Sequence, residues 1–271
     1  MAITLLQSKS ISGSQTASFN SDVPAGSLLV VGKRASQAAT ISDTVNGLWS
    51  LAVGIATGAS GIWFFKNCAF TPAATVITAT GGNSDWIIAA YSGIDTVNPL
   101  DQTNNNSGTS AGYNAGSITT TAPAELLLSN VANSTANSLV DTPGAGWADL
   151  AGGSNGNVFL AAQIVSSIGT YSNAGSYNSS VTWGAVIASF KAFVAPVSGV
   201  YSVPDCRTAP AGPNASRTVQ GTKIYDVQTS SNHIIPPTDS RISVNIPTDS
   251  RAAGQAPQNS RTPGTFGPGV N

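Results

Sequence analysis

The sequence predicts an all-β protein, a two-sheet sandwich followed by an extended arm, on three observations. Short apolar runs bounded by Gly, Pro, Asn or Ser recur through residues 1–195, with no convincing helical periodicity between them. Residues that favour helices are scarce, since 271 residues hold one Glu (Glu125), one Met and 11 Lys and Arg against 28 Gly. The composition also breaks near residue 195: all five tryptophans precede that point, and ten of the 15 prolines follow it.

The strands follow in chain order. Leu28-Leu-Val-Val31, Gly61-Ile-Trp-Phe-Phe65, Trp86-Ile-Ile-Ala-Ala-Tyr91 and Leu126-Leu-Leu128 are apolar runs closed by turn residues. In Ala74-Thr-Val-Ile-Thr-Ala-Thr80, Val76, Thr78 and Thr80 alternate with Thr75, Ile77 and Ala79, as a half-buried strand requires. Residues 157–165 fit helix or strand by pattern. They are assigned as strand, because Gly/Asn-rich turns flank them and no cap opens a helix. Residues 181–190 close the series. Nine or ten strands at this spacing suggest a sandwich over residues 1–195, with a closed barrel as its competitor.

Composition excludes several functions. Hydrophobic residues make up 41% but charged residues only 8%, against roughly 25% in a typical globular protein. A single Glu rules out paired-Glu acid/base chemistry, and a single His (His233) confines any His-bearing triad to its neighbourhood. A net charge of −1 supplies no general attraction to nucleic acid or anionic membranes. No run approaches the ~18 apolar residues of a membrane span. The opening residues lack a basic region, a long apolar stretch and a small-residue cleavage site. The expectation is a protein made in a host cytoplasm and released with a particle.

Two segments look alike, Val23-Pro-Ala-Gly-Ser-Leu-Leu-Val-Val31 and Ala122-Pro-Ala-Glu-Leu-Leu-Leu128. In each a Pro-led turn feeds an apolar strand, and a recurring turn-to-strand solution accounts for both. With Ile41-Ser-Asp-Thr-Val-Asn-Gly-Leu-Trp49 and Ala90-Tyr-Ser-Gly-Ile-Asp-Thr-Val-Asn-Pro-Leu-Asp101, their order resembles the jelly-roll, concanavalin-like sandwich modules of phage structural and bacterial surface proteins. The resemblance covers residues 20–190. It implies a jelly-roll-like sandwich that serves capsid decoration, adhesion or carbohydrate binding, since one fold carries all three.

The tail, residues 196–271, carries a repeat. Arg207, Arg217, Arg241, Arg251 and Arg261 end the strings Pro-Asp-Cys-Arg, Pro-Asn-Ala-Ser-Arg, Pro-Thr-Asp-Ser-Arg (twice) and Pro-Gln-Asn-Ser-Arg. Ten residues separate the first pair and each of the last three, with a gap of 24 between the second and third. Pro removes a backbone donor, so the unit cannot sit in a central strand, and Thr-Asp-Ser favours a turn. Extended chain advances ~3.3 Å per residue, so a repeat spans roughly 30 Å less the turn. An even period puts successive arginines on one side. Such an arm with little regular structure suits a repetitive carboxylate-bearing surface, to which each guanidinium can bind in bidentate fashion. The competing explanation is a soluble Pro/Gly/Ser linker. The repeat also resembles the Pro-x-x-Ser-Arg strings of small phage proteins encoded among head genes.

No catalytic, cofactor or metal site is expected. Cys206 takes the place of the repeat serine, Cys68 reads as a small buried hydrophobe, and no Cys/His spacing suits zinc. Asp43, Asp95 and Asp101 form no Asp-x-Asp-x-Asp calcium loop and read as turn residues. Glu125 and His233 have no evident partner that would tune them. Five tryptophans in such a domain read as core before they read as a sugar platform. The expected function is therefore a non-enzymatic bacteriophage virion protein, a capsid decoration or head-fibre component, present as a homo-oligomer on the virion surface. The five arginines anchor it to the major capsid protein or another shell protein. The alternative is a carbohydrate-binding or adhesive module of a tail fibre or bacterial surface protein that meets host glycans.

Overall fold

A computed structural model describes residues 1–35, 37–82, 85–133, 139–150 and 157–195. The repeat arm, with Arg207, Arg217, Arg241, Arg251 and Arg261, lies outside the described residues, as do Cys206 and His233. The described elements are strands: β1 (Thr4–Ile11), β2 (Thr16–Ala17), β3 (Leu28–Lys33), β4 (Thr40–Asp43), β5 (Gly47–Leu48), β6 (Ser50–Ile55), β7 (Ser60–Phe65), β8 (Ile77–Thr80), β9 (Trp86–Ser92), β10 (Leu100–Thr119), β11 (Glu125–Asn133), β12 (Asp141–Thr142), β13 (Ala148–Asp149), β14 (Val158–Val165) and β15 (Thr170–Lys191). All the named pairings are antiparallel. The all-β sandwich is therefore present, and the ambiguous run at 157–165 is strand.

Alternation along the central strands distributes the core. Leu28 and Val30 of β3 point into a first core with Ile87, Ala89 and Tyr91, while Leu29 and Val31 point into a second with Trp86, Ile88 and Ala90. The first core lies between two large sheets, β1-β9-β3-β7-β6 and β10-β15-β11-β14-β13, and Leu126, Leu128, Leu160, Val186 and Phe190 fill it from the second sheet. A smaller sheet, β2-β8-β4-β5, covers the other face of the first sheet and contributes Ile41, Ile77 and Ala79 to the second core. A third core covers the outer face of the second sheet: Leu127, Val131, Phe159 and Ile187 meet Tyr113 and Tyr177. The last two come from the far ends of β10 and β15. The β10–β15 register breaks between Ser110 and Gly112, whose partners are Val181 and Ser176, and bulges of this kind bend a strand.

The expected sandwich of two large sheets thus carries a third, smaller sheet on one face. β3 and β11 are buried along their whole length, and unbroken apolar runs signal strands covered on both faces. The additional layers supply that cover.

The two large sheets also repeat one design. The first half lays down β1, β3, β6, β7 and β9, and the second lays down β10, β11, β13, β14 and β15. In both the first and third strands are edges, the second is central, and the fifth and fourth flank it. Register follows the same scheme. Leu29 faces Phe65 and Leu127 faces Gln163; Ser50 faces Phe64 and Ala148 faces Ala162, each second pair 98 residues beyond the first. Asp43 faces Ile77, and Asp141 faces Tyr177. Asp43-Thr44 and Trp49 recur as Asp141-Thr142 and Trp147. The look-alike Pro-Ala segments are thus the entries to equivalent central strands, β3 and β11.

Contacts between the halves are specific. Asn130 of β11 points into the first core, where its Nδ2 donates to the Lys33 carbonyl (3.2 Å) and to Ser60 Oγ (2.7 Å). Ser60 in turn donates to the Asn130 carbonyl at 2.9 Å. The position 98 residues earlier is Gly32, and a Cβ there would lie 2.5 Å from Asn130 Oδ1. The β6–β7 turn presses Gly58, at φ +71°, against Gly184, where a side chain has no room. From the other half, Asn157 Nδ2 reaches Asp85 at 3.0 Å.

Candidate functional site

Of the motif aspartates, Asp43 and Asp95 form turns as expected, whereas Asp101 lies in the strand β10. Asp43 Oδ1 accepts the amides of Val45 (2.8 Å) and Asn46 (2.6 Å), and Oδ2 accepts Trp49 Nε1 at 2.8 Å. One carboxylate thus closes the β4–β5 hairpin and positions a core tryptophan. Asp95 Oδ1 accepts the Val97 and Asn98 amides at 2.8 and 3.3 Å, an Asx turn leading into β10. The five tryptophans are 0–8% exposed, so they are core and form no sugar platform. Cys68 is buried, and burial pushes its thiol up.

Glu125 departs from expectation, because it has partners. Its Oε1 accepts the amides of Thr121 and Ala122 at 3.1 and 2.9 Å. Burial raises its carboxyl, and the nearby Asp101 raises it further. Burial works in the same direction on Asp101, but the Thr121 hydroxyl and amide, with Glu125 and Lys191 beside them, outweigh it and hold Asp101 below the usual range. The Thr121 bonds to Asp101 tie the 120–125 turn to the start of β10. The signal was hard to find, because 24 residues separate Asp101 from Glu125.

A second carboxyl pair is the larger surprise. Asp141 of β12 and Asp149 of β13 lie near enough to shift each other's titration. Tyr113 Oη donates to Asp141 Oδ2 at 3.1 Å, while Asp141 Oδ1 is buried and meets no partner. Burial first, then the charge of Asp149, lifts Asp141 to about 7. Burial raises Asp149 as well, but it reaches solvent, so the greater strain falls on Asp141. Tyr177, 4% exposed, faces Asp141 across the strand pair, and its hydroxyl is buried without a partner. The rings of Tyr113 and Tyr177 stand 5.3 Å apart.

At the inner end of β3, Lys33 is fully buried, its Nζ 3.3 Å from Gln15 Oε1 and 5.9 Å from the Trp86 ring centre. Burial lowers it to about 8, against the opposing pull of Asp85. Two shallow grooves open where sheet edges meet. Leu5, Tyr91, Ala148, Asp149, Leu150 and Ile164 line one of 380 Å³, while Ser50, Phe64, Lys66 and Leu100 line another of 260 Å³. They occupy like places, since Ser50, Phe64 and Lys66 stand 98 residues before Ala148, Ala162 and Ile164, which line the first groove.

No nucleophile–base pair emerges from these groups, and among the described residues no set of three or more His, Cys, Asp or Glu could hold a metal ion. The described residues form, as a class, an all-β sandwich of two like halves. No family model matches the chain, and no curated protein or solved structure matches it either.

Proposed function

We propose that this protein is a structural component of a bacteriophage virion, a capsid decoration or head-fibre protein without catalytic activity. The sandwich is displayed outside, and the C-terminal arm fastens it to the major capsid protein or another shell protein. One observation carries the reading: five of six arginines close Pro-led strings, four of them Pro-x-x-Ser-Arg, with ten-residue steps broken by one gap of 24. A row of guanidiniums at fixed intervals matches a surface that repeats, and a shell repeats.

The sandwich supports this reading. Virion proteins stand in many copies at high local density, where open sheet edges invite strand-to-strand association. The edge strand β10 protects itself: Asn104 Oδ1 accepts the Asn105 amide at 2.8 Å, and Asn106 Oδ1 accepts the Ser107 amide at 2.9 Å. Asparagine side chains thus occupy donors that a neighbouring copy would use. Glycan binding through an aromatic platform has less support, because the tryptophans are buried and among the described residues Phe70, 55% exposed, is the exposed large aromatic.

Mass spectrometry of purified particles tests the proposal. The expected result is this chain at a fixed, multi-copy ratio to the shell protein. Its absence from particles that are otherwise complete would overturn the assignment.

A further inference from the structure

We propose that the groove lined by Leu5 of β1 and Asp149 of β13 binds a small aromatic ammonium ion, with its ring between Tyr91 and Ala162 and its charge beside Asp149. The two halves of the molecule build this seam differently, and one of them shows what the other lacks. Along the central strands Leu28 faces Tyr91 and Leu126 faces Phe190, so Tyr91 and Phe190 hold equivalent places. Phe64 and Ala162 are equivalent in the same way, since Ser50 faces the one and Ala148 the other. Phe64 and Phe190 meet edge to face, their ring centres 5.3 Å apart and their planes at 68°. Tyr91 and Ala162 both line the groove of 380 Å³, and among the described residues around it there is no second aromatic ring. The partner that packs on Phe190 in one seam is missing from Tyr91 in the other.

A cation is missing as well. Lys66, two residues beyond Phe64, lines the groove of the first seam and donates to the Val97 carbonyl. Ile164 stands in its place in the second seam. Leu51 faces Trp63 and Asp149 faces Ala161, so a leucine has become a carboxylate at the same time. Among the described residues that line the second groove, Asp149 is the charged one. One seam therefore holds a ring and a cation of its own, whereas the other lacks both and has gained an anion. A ligand that carries a ring and an ammonium complements it in shape and in charge.

Size and lining agree with a small molecule. A space of 380 Å³ is at the lower end of ligand sites, enough for one ring and a short arm. Leu5, Leu150 and Ile164 offer the ring apolar walls. Tyr91 is 1% exposed, and its hydroxyl is buried without a partner, so the same wall has an unused hydrogen-bonding group. Phe190, in the equivalent place, carries no such group. Asp149 is exposed, so its pairing with an ammonium is screened by water and contributes about two- to fivefold in affinity.

The test is titration of the isotope-labelled full chain with phenethylammonium, followed by amide chemical shifts at about pH 8, where carboxylate and ammonium are both charged. Phenethyl alcohol supplies the ring without the charge, and butylammonium the charge without the ring. The expected result is saturable binding at about 1 mM, with shifts concentrated on Tyr91 and residues 146–150 and 162–164. Phenethylammonium should bind about two- to fivefold more tightly than the alcohol, and Asp149→Asn should erase that preference while the alcohol still binds. Ala162→Phe rebuilds the ring of the other seam and should abolish binding of both aromatic probes. Ala162→Leu narrows the same space with less bulk and takes its place if the larger side chain prevents folding. No saturation by about 20 mM, or shifts centred elsewhere, would overturn the proposal. So would butylammonium binding as tightly as phenethylammonium, a preference that survives Asp149→Asn, or full binding in a folded Ala162 variant.

Discussion

At the scale of single residues, neighbouring or equivalent positions in the two halves behave as complements or as opposites. Gly32 and Asn130 are complements. A methyl group at Gly32 collides with Asn130 Oδ1, 2.5 Å away, and with Leu160 Cδ1 at 3.0 Å. Gly32→Ala should therefore cost about 1–3 kcal/mol of unfolding free energy, measured by urea denaturation. In an Asn130→Ala background the same change should cost at least about 1 kcal/mol less, because the clash is relieved. Asp43 and Asp141 are opposites. Asp43→Asn weakens the hydrogen bonds of a carboxylate already satisfied by donors and should destabilise by about 1–3 kcal/mol. Asp141→Asn at pH 8 should not destabilise, because it removes a charge that burial and Asp149 oppose. Equal losses at the two positions would contradict the distinction. Aspartates as turn residues were legible from sequence for Asp43 and Asp95. The carboxyl pairs were not, because each is assembled by strand register instead of by local spacing.

At the scale of elements, strands with apolar runs could be found from sequence, whereas β10 could not. Its text from Leu100 to Thr119 is nearly all Asn, Ser, Gly and Thr, and much of it is exposed. It is strand because β15 pairs with it over most of its length, a long-range cause that no local propensity reports. The likeness of the halves was also half-hidden. Pro-Ala followed by leucines was visible twice, but its meaning lay in register 98 residues apart, carried by buried positions such as Trp49 and Trp147. The self-capped edge leads to a prediction at this scale. Asn104→Val with Asn106→Val frees two edge amides and raises β propensity, so light scattering should show faster aggregation at matched stability. Unchanged solubility would show that the asparagines do not guard the edge.

At the scale of the whole molecule, the sandwich and the arm contribute different properties. Three stacked cores make a body whose polar groups are largely committed to its own turns and joints. Under the proposed function each exposed arginine contact would contribute roughly 0.2–1 kcal/mol, so attachment would need several in series. The most direct measurement is occupancy on purified particles, at low and high salt, of the full-length chain with Arg207, Arg217, Arg241, Arg251 and Arg261 replaced by Gln, against the unaltered chain and single-Arg variants. The account expects single variants near full occupancy, progressive loss as replacements accumulate, and looser attachment at high salt. If the chain with all five replaced decorates particles as fully as the unaltered chain at both salt concentrations, the arm does not anchor it.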